Sequence, residues 1–240
     1  SNNLLKYTGS KAKIAKYIIP IMEKERKPNM TWVEPFVGGA NVIDKVKGKR
    51  IGGDNNKYLI ALWQALQQGY NPSINISKEE ATFCRLNKDK FPDEYVGWVG
   101  IGVCSFRGKF FGGYVGGNLE RNYILEAYKN ITRQAEKIKD VVFVYSDYKN
   151  LNIPSNSLIY CDPPYASATK YTTGDFNHDE FWQWCREKHR EGHLVFVSEY
   201  NAPNDFECIW EKNIVTTLNN SKGKGGLERV EKLFKYKGEW

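Results

Sequence analysis

The chain has few of the residues that build metal centres and disulfide frameworks. Its 240 residues include five cysteines, widely scattered and without a CxxC pair, and three histidines. Isolated cysteines in odd number predict reduced thiols rather than disulfides or a zinc site. Gly192 interrupts any helix that would align His189 and His193 as ligands, so we expect no metal. No apolar run has membrane-spanning length and no signal peptide is visible, which predicts a cytoplasmic protein without membrane contact.

The composition favours one folded unit with a polyanionic partner. Hydrophobic residues make up 41% of the chain, which is enough to form a core. The length fits one large domain, or one domain that carries an insertion. The net charge of +7 favours partners such as nucleic acid.

Apolar runs alternate with helical patterns, which is typical of an α/β sheet flanked by helices. Strands are predicted at residues 31–36, 50–54, 141–145, 158–161 and 193–198, with a final pair at 214–218 and 230–236. Helices are predicted at residues 57–68, 78–88, 119–138 and 178–189. The pattern is least regular between residues 71 and 139. We therefore expect a main domain of residues 1–70 and 140–240, interrupted at 71–139 by a small insert of helices and a hairpin.

The most informative stretch is SLIYCDPPY, from Ser157 to Tyr165. Its two prolines neither continue a strand nor donate hydrogen bonds, so the sheet must stop there on a rigid backbone. Asp162 and the Pro163 carbonyl can accept from an amino group on a planar base, while Tyr165 stacks on the ring. A proline-terminated strand with a capping aspartate is the alternative.

Two upstream features indicate a nucleoside site. In EPFVGGAN, residues 34–41, a strand enters a glycine turn and then a helix, which lets a ligand approach the backbone. The spacing is not GxGxxG, so a pyrophosphate site and a nicotinamide enzyme are disfavoured. Asp54 ends the next strand, where an acid commonly accepts from ribose hydroxyls. A tight turn and a helix cap are the respective alternatives.

Two glycine-rich basic segments are candidates for DNA contact. Residues 105–114 combine Arg107 and Lys109 with four aromatics and three glycines, a mixture that suits phosphate contact and base stacking. Residues 219–229 carry Lys222 and Lys224 between two predicted strands, where lysines commonly meet phosphates. A packed aromatic hairpin and a solvated hairpin tip are the alternatives.

In this order the features resemble the Dam-like (D12) class of S-adenosylmethionine-dependent DNA adenine-N6 methyltransferases, of a phage or prophage type. The resemblance runs over nearly the whole chain and implies a Rossmann-like methyltransferase sheet whose insert recognises DNA. It is carried by residues 7–11, the EPFVGGAN turn, Asp54, the tetrapeptide Asp162–Tyr165, residues 171–176 and residues 229–233. The family's turn often has a further glycine where this chain has Ala40-Asn41.

The resemblance also implies residue roles. The catalytic residues would be Asp162, Pro163, Pro164 and Tyr165, and the cofactor contacts would be Tyr7, Lys11, Glu34, Phe36, Gly38, Asp54 and Asp162. Lys11 would neutralise the methionine carboxylate of the cofactor. The DNA contacts would be the basic residues of the two segments together with one tyrosine and one further arginine, namely Arg107, Lys109, Tyr171, Lys222, Lys224 and Arg229.

The implied reaction is methyl transfer to N6 of an adenine extruded from duplex DNA. Asp162 and the Pro163 carbonyl would accept from the amino group as positive charge develops on it. Methylation of cytosine at N4 and a non-catalytic DNA-binding relative remain alternatives. We expect a monomer without an obligate protein partner, in a bacterial or phage-infected cell.

Overall fold

A computed structural model describes residues 10–117, 120–164, 176–215 and 228–238. A seven-stranded sheet with the order β3-β2-β1-β4-β5-β7-β6 forms its centre. The strands are β1 Trp32–Glu34, β2 Arg50–Asp54, β3 Val141–Tyr145, β4 Leu158–Cys161, β5 Leu194–Ser198, β6 Phe206–Val215 and β7 Glu228–Tyr236. The first five strands pair in parallel, whereas β7 runs antiparallel to both β5 and β6.

The helices are α1 Ser10–Glu23, α2 Lys57–Gln67, α3 Lys78–Leu86, α4 Asp93–Trp98, α5 Tyr123–Lys137 and α6 His178–Arg190. Side-chain oxygens cap four of them, because Asn56, Ser77, Asn122 and Asn177 each accept from backbone N–H groups of the first turn. A π-helical turn, Val99–Val103, continues α4.

The side chains of alternate strand residues pack into two separate cores, one on each face of the sheet. Trp32, Leu158 and Phe196 lie in the core shared with α1 and α2. Val33 and Val195 lie in the core shared with α6. Helices therefore cover both faces of a largely parallel sheet, and the predicted α/β class with Rossmann-like strand order is confirmed.

The described residues of 71–139 pack onto the main body, and their buried side chains share its core. Ile76, Cys84 and Trp98 belong to the same buried cluster as Ile14 of α1. Gly97 of α4 packs against the backbone of α2, where a Cβ atom would lie 2.2 Å from the Tyr58 carbonyl oxygen. The insert boundaries at 71 and 139 stay a prediction.

Two sequence expectations need correction. The strand expected at 214–218 lies earlier, at Phe206–Val215, and residues 216–227 are outside the described part of the chain. This strand lies at the edge of the sheet, and its residues are largely exposed and include several charges. It also has a register shift between Cys208 and Trp210, so its sequence lacks the alternation of apolar and polar residues that marks a strand.

The expected hairpin in the insert is replaced, in its described residues, by isolated bridges. One joins Ser105 to Gly113 and the other joins Gly117 to Asn122. Phe111 has a φ of 53° and Gly113 a φ of 138°, so the backbone turns too sharply for a regular two-stranded ladder.

Within the described ranges, no helix is long and apolar enough to cross a membrane. The same ranges contain no group of three or more His, Cys, Asp or Glu side chains that could hold a metal ion. All five cysteines are free thiols, and only Cys208 is exposed.

Candidate functional site at the carboxyl edge of the sheet

The site lies where the parallel strands end. Strand β1 pairs with β2 on one side and with β4 on the other, so the strand order reverses beside it. In open α/β sheets, ligands bind outside the carboxyl ends of the strands at such a point. Glu34 ends β1, Asp54 ends β2 and Asp162 directly follows β4. The topology thus gathers three predicted site residues at one edge.

Asp54 holds the glycine turn in place. Its Oδ2 accepts from the Gly38 backbone N–H at 2.9 Å, and its Oδ1 accepts from the Asn56 N–H at 2.9 Å. The indole Nε1 of Trp63 donates to the Gly38 carbonyl at 2.9 Å. Asp54 is 5% exposed, and its two hydrogen bonds fix both the glycine turn and the backbone at the start of α2. The cap of α2 itself is Asn56, whose Oδ1 accepts from the first turn.

Helix α5 of the insert also binds this turn. The Gln134 amide Nε2 donates to the carbonyls of Gly39 and Ala40 at 2.8 and 3.1 Å. Gly38 and Ala40 have φ angles of 48° and 58°, in the left-handed region that glycine adopts most easily. A further glycine at this place in related sequences therefore has a conformational reason. The sequence carried no signal for Gln134, because its distance from the turn along the chain is long.

A buried cation faces Asp162. Lys11 of α1 places its Nζ 3.1 Å from Glu231 Oε2 of β7 and 3.6 Å from Asp162 Oδ1. All three side chains are buried. Burial alone lowers the pKa of Lys11, but the charges of Asp162 and Glu231 outweigh it and leave that pKa above its ordinary value. One buried ammonium group thus contacts two carboxylates beside the tetrapeptide. Sequence spacing alone did not identify Glu231 as part of this cluster.

Glu34 is a buried acid with an unusual protonation equilibrium. Its pKa is raised from 4.5 to about 8, mainly by burial; the Trp32 hydrogen bond works in the opposite direction, and the nearby Asp162 charge contributes to the rise. Trp32 Nε1 donates to Glu34 Oε2 at 2.8 Å. Glu34 is therefore mostly protonated at neutral pH.

Aromatic rings close the other side of the edge. The Phe36 ring lies 5.1 Å from that of Tyr148, 5.8 Å from that of Phe176 and 5.7 Å from that of Phe181. A cleft of about 380 Å³ opens beside them. It is lined by Asn55, Asp147, Tyr148, Lys149, Pro164, Phe176, Asn177 and Glu180.

Asp147 and Tyr148 were missed by sequence reasoning. They follow β3, which pairs with β2 over its whole length. The rule that selected Asp54, an acid just after a parallel strand, would have selected Asp147 too. The cleft thus lies across the carboxyl ends of β2, β3 and β4. Asn55, which follows Asp54, and Pro164 are both part of its lining.

The other predicted residues are distributed as follows. Tyr7, Tyr165, Tyr171, Lys222 and Lys224 lie outside the described residues, and the side chain of Arg107 is not described. Lys109 is exposed on the insert loop. Arg229 is on β7, and its Nη1 donates to the Tyr200 hydroxyl at 2.9 Å. Tyr200 follows β5, so Arg229 lies at the same edge of the sheet as Asp162.

Two solved structures align with the chain at low similarity. One is SMU.472, assigned as a methyltransferase and crystallised with SAH, at 12% identity and a TM-score of 0.39, covering 99% of this chain and 55% of that one. The other is a protein assigned as a methyltransferase from Thermoplasma acidophilum, at 9% identity and a TM-score of 0.37, covering 91% and 74%. The chain therefore spans about half the length of SMU.472. TM-scores this low carry no inference about the chain, and no curated protein matches it.

One family model matches over most of the chain. It describes the D12 class N6 adenine-specific DNA methyltransferases and matches residues 7–96 and 105–208. The match includes Lys11, the glycine turn, Asp54 and the tetrapeptide. The chain belongs to the D12 class of N6 adenine-specific DNA methyltransferases.

Proposed function

We propose that this chain transfers a methyl group from S-adenosylmethionine to N6 of an adenine extruded from double-stranded DNA. The observation that carries the proposal is the position of Asp162. It is 8% exposed, directly follows β4, lies beside the glycine turn and precedes two prolines. A carboxylate and a rigid carbonyl are thereby held together at the ligand-binding edge of the sheet.

The residues at this edge fit the cofactor. The cleft of about 380 Å³ combines aromatic walls with polar groups, as sites for nucleosides do. Asp54 lies at the entrance to α2 for the ribose, and the buried Lys11 offers a cation for a carboxylate. Tyr7, Glu34, Phe36 and Gly38 complete the proposed contacts. When bound, S-adenosylmethionine supplies a methyl group carried on a positively charged sulfur.

The chain's own groups would act on the adenine. Asp162 and the Pro163 carbonyl accept from the N6 hydrogens, which stabilises the positive charge that develops on the nitrogen. The Lys11 ammonium lies 3.6 Å from Asp162 and 3.1 Å from Glu231. The contact with Glu231 fixes the ammonium, and the ammonium in turn holds the Asp162 carboxylate in place. Tyr165 stacks on the extruded base. Alignment of the reacting groups provides much of the acceleration.

DNA binding is proposed for the insert and for the basic residues around the site. Residues 71–139 form the recognition insert, with Arg107 and Lys109 on its glycine-rich loop. Tyr171, Lys222, Lys224 and Arg229 would contact the duplex near the tetrapeptide. The net charge of +7 supports a partner with a phosphate backbone. We propose that the protein acts as a monomer, without an obligate partner, in the cytoplasm of a bacterial or phage-infected cell.

The test uses purified protein, duplex DNA and S-adenosylmethionine with a labelled methyl group. Nucleosides from the product are separated and identified by mass, and the methylated DNA is sequenced to find the target. N6-methyladenine is expected. N4-methylcytosine would replace the proposal with its nearest alternative, and DNA binding without methylation would identify a non-catalytic relative.

The site is tested with Asp162→Ala. Lys11 keeps its bond to Glu231 in this variant, so the fold should persist. Methyl transfer should fall by at least about a hundredfold, because an acceptor aimed at the developing charge is lost. DNA affinity, measured by fluorescence anisotropy, should change little. Asp140→Ala is the matched control, since Asp140 is exposed and precedes β3 at the opposite edge of the sheet. Turnover near the wild-type rate in Asp162→Ala would exclude the assignment.

A further inference from the structure

The second proline of the tetrapeptide carries a specific hydrogen bond. His178, the first residue of α6, places its Nε2 2.8 Å from the Pro164 carbonyl oxygen. A carbonyl oxygen only accepts, so the proton must be on Nε2 of the imidazole. The structure therefore fixes which ring nitrogen of His178 is the donor.

A buried carboxylate lies near the same ring nitrogen, Nε2, that contacts Pro164. Glu199 is 1% exposed and directly follows β5, and its Oε2 is 3.7 Å from His178 Nε2. That distance is too long for a hydrogen bond but short enough for electrostatic attraction. The other oxygen, Oε1, accepts from the Tyr200 backbone N–H at 2.7 Å, which holds the carboxylate in place. The Phe176 ring contacts the imidazole edge to face, with ring centroids 4.8 Å apart.

The sheet brings these groups to the tetrapeptide. Strands β4 and β5 are parallel neighbours, with Cys161 opposite Val197. Asp162 thus leaves the sheet beside Ser198, the last residue of β5. The Tyr160 hydroxyl and Ser198 Oγ, 2.6 Å apart, tie the same two strands together. Glu199 and the tetrapeptide therefore share one rigid support.

The tetrapeptide has few ways to be held. Proline has no N–H group, so Pro163 and Pro164 offer only carbonyl oxygens to a polar partner. The Pro164 carbonyl belongs to the planar peptide unit that leads to Tyr165. A donor on that oxygen therefore fixes the orientation of the Pro164 carbonyl relative to the start of α6.

We propose that His178, with Glu199 beside the same ring nitrogen, is a positioning residue for methyl transfer: its Nε2–H fixes the Pro164 carbonyl and so orients the base-binding corner formed by Asp162 and Pro163. This inference rests on the proposed function. His178 touches neither the base nor the methyl group in this scheme and acts through the backbone. A contact that merely fastened α6 to the preceding segment would affect stability and leave the rate of transfer unchanged.

Two variants distinguish the role of the His178 N–H donor from that of its ring. His178→Phe keeps a planar ring beside Phe176 but removes the N–H. His178→Gln removes the ring but can place an amide N–H near the original Nε2 position. The matched control is His189→Phe on the same helix, 11 residues later and therefore about 16 Å along the axis. His189 packs against Tyr236, with ring centroids 4.8 Å apart.

The measurement is the single-turnover rate of methyl transfer at saturating cofactor and DNA, which isolates the chemical step. For His178→Phe we expect a fall of about tenfold to a hundredfold, the range for small misplacements of reacting groups. His178→Gln should stay within about threefold of the wild type, and His189→Phe should match it. DNA affinity, cofactor affinity and thermal midpoint should stay close to the wild-type values in His178→Phe.

Three outcomes would overturn the inference. One is a wild-type transfer rate in His178→Phe, and another is an equal loss in the Phe and Gln variants, which would make the N–H irrelevant. The third is a rate loss in His178→Phe that follows a lower thermal midpoint or weaker cofactor binding. If the wild-type protein itself transfers no methyl group, the proposed function fails first, and the two failures are thereby distinguished.

Discussion

Replacement of the buried acid at the end of β1 should change how stability depends on pH. Glu34 is 3% exposed, and its pKa is raised from 4.5 to about 8, mainly by burial. The change is Glu34→Gln, which keeps the size of the side chain. Its amide oxygen can still accept from Trp32 Nε1, as the carboxyl does at 2.8 Å. The variant therefore removes the ionisation and keeps the packing.

The direction follows from proton binding. Between pH 4.5 and about 8 the native state holds a proton on Glu34 that the unfolded chain has lost. Raising the pH through this range therefore favours the unfolded wild-type chain. Each pH unit inside the range costs about 1.4 kcal/mol, so the wild type loses roughly 3 to 4 kcal/mol relative to Glu34→Gln between pH 5 and pH 8. Above about pH 8 the difference levels off, because both states are then ionised.

The assay is urea unfolding of both proteins at several pH values from 5 to 9. The quantity compared is the free energy of unfolding of the variant minus that of the wild type, so effects of other titrating groups cancel. Glu207→Gln, an exposed glutamate on β6, controls for the general loss of one negative charge. A difference for Glu34→Gln that stays constant within about 0.5 kcal/mol from pH 5 to pH 8 would refute the reasoning.

Two other substitutions test the packing and the charge balance. Gly97→Ala puts a Cβ atom 2.2 Å from the Tyr58 carbonyl oxygen, so α4 must move away from α2. We expect a loss of about 3 kcal/mol in urea unfolding, and an unchanged midpoint would contradict the close approach. Lys11→Met removes the ammonium group that contacts the buried Asp162 and Glu231, and it should cost about 3 to 5 kcal/mol of the free energy of unfolding. Addition of Glu231→Gln should recover part of this loss, and strict additivity of the two changes would argue against their pairing.

The strands and helices with strong local patterns could be predicted. Residues 50–54, 141–145 and 158–161 are strands with the expected bounds, and α2 ends one residue earlier than expected. Residues 141–145 and 158–161 are short apolar runs, and residues 50–54 are bounded by Asp54 and the asparagines that follow it, so local sequence suffices. Strand β6 was misplaced because an exposed edge strand with a register shift has no regular alternation. The short α4 was missed because Gly97 weakens its helical pattern while supporting its close packing.

The chemical elements of the site could be predicted from local sequence. Asp162, Asp54 and the glycine turn each come at or directly after a strand, and strand ends are local events marked by prolines, glycines and acids. The family match over residues 7–96 and 105–208 agrees with that identification. The roles of the individual residues stay predictions.

The groups that surround those elements come together only in the folded chain. Lys11 and Glu231 are 220 residues apart in the chain, and their bond exists because α1 and β7 both reach the edge beside β4. Gln134 meets the glycine turn from the insert, and His178 meets Pro164 from the start of α6. No periodicity or spacing encodes such pairs, because they depend on the strand order of the sheet and on side-chain packing across it. The proposed catalytic corner can thus be predicted from the sequence, whereas the groups that surround it are found only in the fold.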